Sequence, residues 1–269
     1  MKYMRILLLV VLTGLASTAF AQNASTKPES ATTRCSNASL SGTYGWIHGG
    51  TASNDTPVIG VSQITFDPTT GTYSGEDTLS RDGVVITESI YATYTITSDC
   101  TGTGTVEVDG VPAGTIAFVV TSTGFVSLNL TPGGVRTLAG PGMKQGSPTC
   151  TNAGVEGSFG FQATGDFVAG APVTGPVAFI GELKLSVDSS GDGVIIGHLA
   201  GSEDGAIFRF VGEPVTGTYS VAADCTGTAT ITPKGKPALN FTFVVVDGGS
   251  QILVLETDAD TVVSGTLQQ

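Results

Sequence analysis

The sequence predicts an all-β fold of two tandem small antiparallel β-barrels, up-and-down in topology, with seven to eight strands and one disulfide each. Three observations predict it. Apolar and polar residues alternate in short segments punctuated by Asp-Gly turn signals. A block of sequence returns once, and the two copies between them carry all four cysteines. The composition is rich in Gly (38 of 269 residues) and poor in charge (13%).

That composition excludes several classes. The glycines lack the three-residue period of collagen, and the chain lacks the Ala/Glu/Lys/Leu/Arg content of a coiled coil. A net charge of −12 argues against binding a phosphate backbone, which needs clustered Lys and Arg, so no nucleic-acid partner is expected.

The first element is an export signal, residues 1–21. Lys2 and Arg5 form a basic start, Ile6 to Leu15 an apolar core, and Ala19-Phe20-Ala21 an A-x-A cleavage site. Its loss would leave a chain of net charge −14, secreted or periplasmic, with no further membrane-spanning segment. Residues 22–34 are polar and aperiodic, and read as a disordered lead-in.

The duplication sets the domains. Cys35-Ser-Asn-Ala-Ser-Leu-Ser-Gly-Thr-Tyr-Gly-Trp46 returns as Cys150-Thr-Asn-Ala-Gly-Val-Glu-Gly-Ser-Phe-Gly-Phe161. The block from Thr93 to Val106 returns from Thr218 to Ile231, with eight of fourteen positions identical. This gives domain 1 as 35–140, a Gly/Pro-rich linker as 141–149 and domain 2 as 150–269. Of the three ways to pair four cysteines, only Cys35–Cys100 with Cys150–Cys225 keeps each bridge within one copy and treats both alike. Loops of this length make each bridge worth about 3 to 4.5 kcal/mol in the chain-entropy model. Zinc would need close ligand pairs such as C-x2-C, which are absent from the sequence.

Within domain 1 the alternation places Val58, Gly60, Ser62, Ile64 and Phe66 on one face, and Ile90, Ala92, Tyr94 and Ile96 on another inward face. Ile116, Phe118 and Val120 follow, then Val126, Leu128 and Leu130. In domain 2 the equivalents run through Phe179, Leu183 and Leu185, and later Leu239, Phe241 and Phe243. Thr fills the opposite faces, where a β-branched side chain suits a pleated surface. Short connections throughout favour up-and-down closure over a Greek-key sandwich.

The C-x-N-A-x-x-x-G-[TS]-[YF]-G start and the T-Y-x-x-x-x-D-C-T-G-T block resemble those of largely uncharacterised secreted bacterial proteins built from one or more such modules. The architecture is similar to lipocalin-like and allene-oxide-cyclase-like barrels in strand order and size. That similarity implies a fold and supplies no functional residue. An outer-membrane barrel is disfavoured, because Thr-rich outer faces suit water and aromatic residues are only 7% of the chain.

Catalytic motifs are scarce. His48 shares parity with Tyr44 and Trp46, while Glu88 and Asp77 each share parity with apolar neighbours, so all can point into barrel 1. A His with carboxylates there would suit general acid–base work, and Tyr44, Trp46 and His48 would line a ligand site at a barrel mouth. Copy two has Ala163 in place of His48. Asp188, Ser190 and Asp192 begin like a calcium loop, although Leu199 stands where the closing Glu belongs and a hairpin turn explains the residues equally well. His198 has outward parity. Aligning Leu253 and Leu255 with Leu128 and Leu130 leaves Ile252 and Val254 outward, a docking surface for the sister barrel or another chain. No cofactor is implied. The functional expectation is a non-enzymatic binding or cell-envelope interaction module. The alternatives are a lipocalin-like carrier of a small apolar ligand, or a cyclase- or isomerase-like enzyme.

Overall fold

Hairpins joined in sequence order close the first barrel. Its strands are β1 (Gly42–Ala52), β2 (Thr56–Asp67), β3 (Thr72–Arg81), β4 (Val84–Ile96), β5 (Thr101–Val108), β6 (Val111–Val120), β7 (Gly124–Leu130) and β8 (Arg136–Lys144). Each pairs with the next, and β8 returns to β1. The second barrel comprises β9 (Gly157–Phe167), β10 (Gly175–Val187), β11 (Gly193–Glu203), β12 (Ala206–Arg209), β13 (Val215–Val221), β14 (Thr226–Thr232), β15 (Leu239–Val246), β16 (Gln251–Glu256) and β17 (Thr261–Gln268). It closes through β17 on β9, while β12 and β13 occupy the same edge of β11 as one interrupted strand. Both barrels are therefore eight-stranded and antiparallel, as the sequence predicts.

This computed structural model describes residues 34–130, 136–146, 150–172, 174–203, 206–209 and 215–269. The expected signal peptide (1–21) and the lead-in up to residue 33 lie outside the described residues. Among the described residues no helix is long and apolar enough to cross a membrane.

The hairpin turns follow the expected chemistry. Asp82-Gly83 and Asp109-Gly110 take φ of 51° and 77°, and 50° and 75°. These left-handed pairs belong to the turn whose twist matches the strands it joins. The disulfides are Cys35–Cys100 and Cys150–Cys225.

The repeated residues perform repeated tasks. Asn37 Oδ1 accepts the Ile96 amide at 2.8 Å, and Asn152 Oδ1 accepts the Val221 amide at 2.8 Å. Tyr94 and Tyr219 donate their hydroxyls to backbone carbonyls of the same opening segments. Each Asp-Cys-Thr turn puts its cysteine in the left-handed region, Cys100 at φ 69° and Cys225 at φ 73°. The preceding aspartate holds the turn: bonds from the Thr97 and Thr101 hydroxyls pull Asp99 down to about 2, and the Thr226 amide lowers Asp224.

Three expectations need correction. Pro141–Lys144, expected to begin the linker, belongs to β8 and pairs with β1 and β7. The glycines there serve close packing: a Cβ on Gly142 would stand 2.2 Å from the Phe125 ring. Val126 and Leu128 face outward, 49% and 39% exposed, while Phe125 and Ser127 point inside. Ile252 and Val254, expected on the surface, are instead core residues of barrel 2. Their neighbours Leu253 and Leu255 face outward onto barrel 1. Because both faces of β16 are buried, its residues from Ile252 to Leu255 are all apolar and the parity signal disappears there.

The outward face forms an apolar seam between the barrels. Val244, Val246, Leu253 and Leu255 pack against Val61, flanked by Ile47, Ile59 and Met143. Gly45 is required there, since a Cβ would stand 2.6 Å from Val246 Cγ1. Polar bonds frame the seam. Gly248 N donates to Gln145 O at 3.0 Å, Asp260 N to Gly83 O at 2.9 Å, and the Ser80 hydroxyl to Thr261 O.

Candidate functional site

Barrel 1 is filled in layers. Tyr44, Phe66, Tyr73, Tyr94, Phe118 and Phe125 form an aromatic cluster, with Tyr44 edge-on to Phe66 at 5.3 Å. Towards the opposite end Val58, Leu79 and Leu138 form a small apolar cap. Between them lies a polar layer set by strand register, because Trp46, Ser62, Asp77 and Glu88 sit opposite one another in a row across β1 to β4. His48 is one inward step further along β1, opposite Gly60. A Cβ on Gly60 would stand 2.6 Å from His48 Cε1, so that glycine makes room for the imidazole.

The sequence-predicted residues therefore meet. His48 Nε2 lies 2.9 Å from Asp77 Oδ1, which also accepts the Ser62 hydroxyl at 2.8 Å. The His48 ring stacks on Trp46 at 4.2 Å between centroids, and Trp46 Nε1 donates to Gly140 O. Glu88 is buried near Asp77. Burial, then the Asp77 charge, raise its carboxyl to about 7, and Arg81 opposes them. His48 Nδ1 and Asn129 Oδ1 are buried without a hydrogen-bond partner. Tyr44 is separated from this layer and belongs to the aromatic cluster. The arrangement can hold and relay a proton between an imidazole and two carboxyls.

Barrel 2 is filled differently. Among the described residues it has no counterpart of the polar layer, since Phe161 and Ala163 occupy the positions of Trp46 and His48 and join an apolar core. At the end where β9, β14 and β16 finish and β10, β15 and β17 begin, a cavity of about 550 Å3 opens. Phe167, Phe179, Leu239, Pro172, Pro233 and Pro237 form its apolar wall. Glu256, at the last position of β16, lines it at 1% exposure, and neither carboxyl oxygen has a hydrogen-bond partner. Burial foremost, then the Asp258 charge, raise Glu256 to about 8. A buried carboxyl without partners is costly unless neutral or matched by a ligand.

Sequence reasoning missed Glu256. The signal was present, because Glu256 shares parity with Ile252 and Val254, and the reversal of those two hid it. Asp188, Ser190 and Asp192 form a tight turn in which Asp188 Oδ1 accepts the amides of Ser190 (2.8 Å) and Asp192 (3.1 Å), so the carboxylate closes its own hairpin. Among the described residues no group of three or more His, Cys, Asp or Glu could hold a metal ion. His198 is exposed, as expected.

Fold and sites together define an all-β protein of two docked eight-stranded barrels, one closed around a polar layer and one open at a carboxyl-bearing cavity. No family model matches the chain, and no curated protein matches its sequence. Among solved structures, a Nostoc punctiforme protein of unknown function from the DUF3598 family is similar at 12% identity and a TM-score of 0.26. The match covers 86% of this chain and 97% of that one.

Proposed function

We propose that the protein is an exported, non-enzymatic binding protein that takes a small, largely apolar molecule into the open end of barrel 2. The observation that carries this reading is the 550 Å3 cavity with the unpartnered Glu256 on its wall. Pockets for small ligands are typically apolar concavities of about this size with a few placed polar groups. Barrel 1 serves as the rigid partner. It braces the cavity rim through Gly83 and Ser80, which bond the Asp260 amide and the Thr261 carbonyl. Two disulfides and an A-x-A leader support export, since such bonds persist in oxidising compartments.

Native mass spectrometry of the protein purified from its own secreting cells tests this. An added mass that is lost on denaturing extraction is the expected result. Bare protein, together with no heat of binding for a panel of apolar small molecules, overturns the proposal.

The His48–Asp77 contact favours one second reading, acid–base catalysis inside barrel 1. It predicts turnover of a bound molecule that His48→Gln abolishes, with the fold and the barrel 2 cavity unchanged.

A further inference from the structure

We propose that the barrel 2 cavity binds an apolar primary amine as its ammonium ion, with the Glu256 carboxylate as counter-ion. The inference rests on the binding function proposed above and specifies its ligand class.

The charged groups lining the cavity are unequal in sign. Glu256 comes from β16, Asp258 and Asp260 from the β16–β17 turn, and Lys236 from the β14–β15 turn. The lining residues of β9, β10 and β15 (Phe167, Phe179 and Leu239) carry no charge. Both Asp258 oxygens are engaged by Asn240, one accepting its amide at 2.8 Å and the other its Nδ2 at 2.7 Å. The Asp258 oxygens therefore already have partners and need no ligand. The Asp260 carboxylate packs on Gly170, where a Cβ would stand 2.4 Å from its oxygens. Among the described residues that line the cavity, Glu256 is the one buried with both oxygens unsatisfied, beside the apolar wall of Phe167, Phe179 and Leu239.

Each ligand chemistry meets this set differently. A carboxylate would enter against three acidic groups and one lysine, a net repulsion. A carbonyl could accept only from the neutral form of Glu256, and a hydroxyl could donate a single bond to either form, but neither brings a charge to set against Asp258 and Asp260. An ammonium brings three N–H donors and a positive charge, which match an unsatisfied carboxylate held in a negative field. Its hydrocarbon would lie along Phe167, Phe179 and the prolines.

The proton balance follows. Glu256 is neutral at pH 7, with its carboxyl raised to about 8. Seating an ammonium beside it expels that proton to solvent, so at about pH 7 and below binding releases close to one proton. Affinity therefore rises with pH until Glu256 is ionised without the ligand.

Tryptamine, tryptophol and indolepropionate share one ring and chain length and differ in the terminal group. They are titrated calorimetrically into the full, oxidised chain at about pH 6 and about pH 8.5. Tryptamine is expected to bind about tenfold or more tighter at the higher pH, with tryptophol nearly unchanged. Buffers of different ionisation heat should report proton release in the wild-type protein, which requires no variant. Glu256→Gln should remove the tryptamine advantage and its pH dependence while leaving tryptophol binding intact. Equal or tighter binding of tryptophol or indolepropionate at the higher pH overturns the amine assignment and leaves the cavity function standing. Failure of all three to bind at millimolar concentration overturns the binding function itself.

Discussion

At the scale of single residues, buried ionisable groups distinguish the two barrels. His48 and Asp77 satisfy each other inside barrel 1, so His48→Ala would leave Asp77 with only the Ser62 hydroxyl. That change should cost about 2–4 kcal/mol in a urea titration, more than a surface histidine such as His198, whose replacement should move stability by less than about 0.5 kcal/mol. Glu256 acts in the opposite sense. Its carboxyl lies at about 8 in the folded protein against 4.5 for the ordinary group, so the folded state holds the proton more tightly. Stability from this residue is complete below about pH 4.5 and is lost as pH rises through about 8. Glu88, raised to about 7, adds a fall of the same sign. Thermal melts should therefore show Tm declining from pH 5 to 8.5, with Glu256→Gln flattening the upper part of the slope. An unchanged slope in that variant would contradict the buried, neutral carboxyl. Of these residues, His48, Asp77 and Glu88 were legible from parity because each shares a face with apolar or aromatic residues of its own strand: Tyr44 and Trp46, Tyr73 and Leu79, Ile86 and Ile90. Glu256 was not, because the strand that carries it is apolar on both sides.

At the scale of elements, strand alternation reports one buried face and falls silent where there are two. On β2, Val58, Gly60, Ser62, Ile64 and Phe66 were read correctly, since the other face is mostly polar or partly exposed. On β7 and β16 the reading slipped by one residue. In β7 a small polar residue, Ser127, turns inward while Val126 and Leu128 face water. In β16 the outward leucines are buried by the neighbouring barrel. The slip gives a paired test, because Leu128 and Leu253 hold equivalent positions in the two copies. Leu128→Asp should change stability by less than about 0.5 kcal/mol, whereas Leu253→Asp should cost more than about 3 kcal/mol or separate the barrels, by denaturant titration with a dye for exposed apolar surface. The linker was misread for a related reason. Gly140-Pro-Gly has the composition of a loop, yet the glycines let β8 approach Ile47 and the Phe125 ring. Gly-rich sequence at a barrel closure records crowding as readily as it records a turn.

At the scale of the whole molecule, the duplication was legible and the docking of its products was not. Repeated Asn, Tyr and Asp-Cys-Thr residues specify each barrel independently. The seam draws on residues that serve it in one copy only: Val61 and Val246 have Glu182 and Thr121 at the matching positions, and Leu253 is buried there while its counterpart Leu128 faces water. Each disulfide closes within one barrel, and the chain passes between them once, through residues 145–149. Nothing covalent other than that single passage unites the halves. A protease cut there would turn one polypeptide into a heterodimer held by the seam alone. The two fragments should co-elute in size-exclusion chromatography under non-reducing conditions, and Leu253→Asp should let them part. Expressed as separate genes, the halves would make a complementing pair, with the brace on the cavity rim restored only when they reunite.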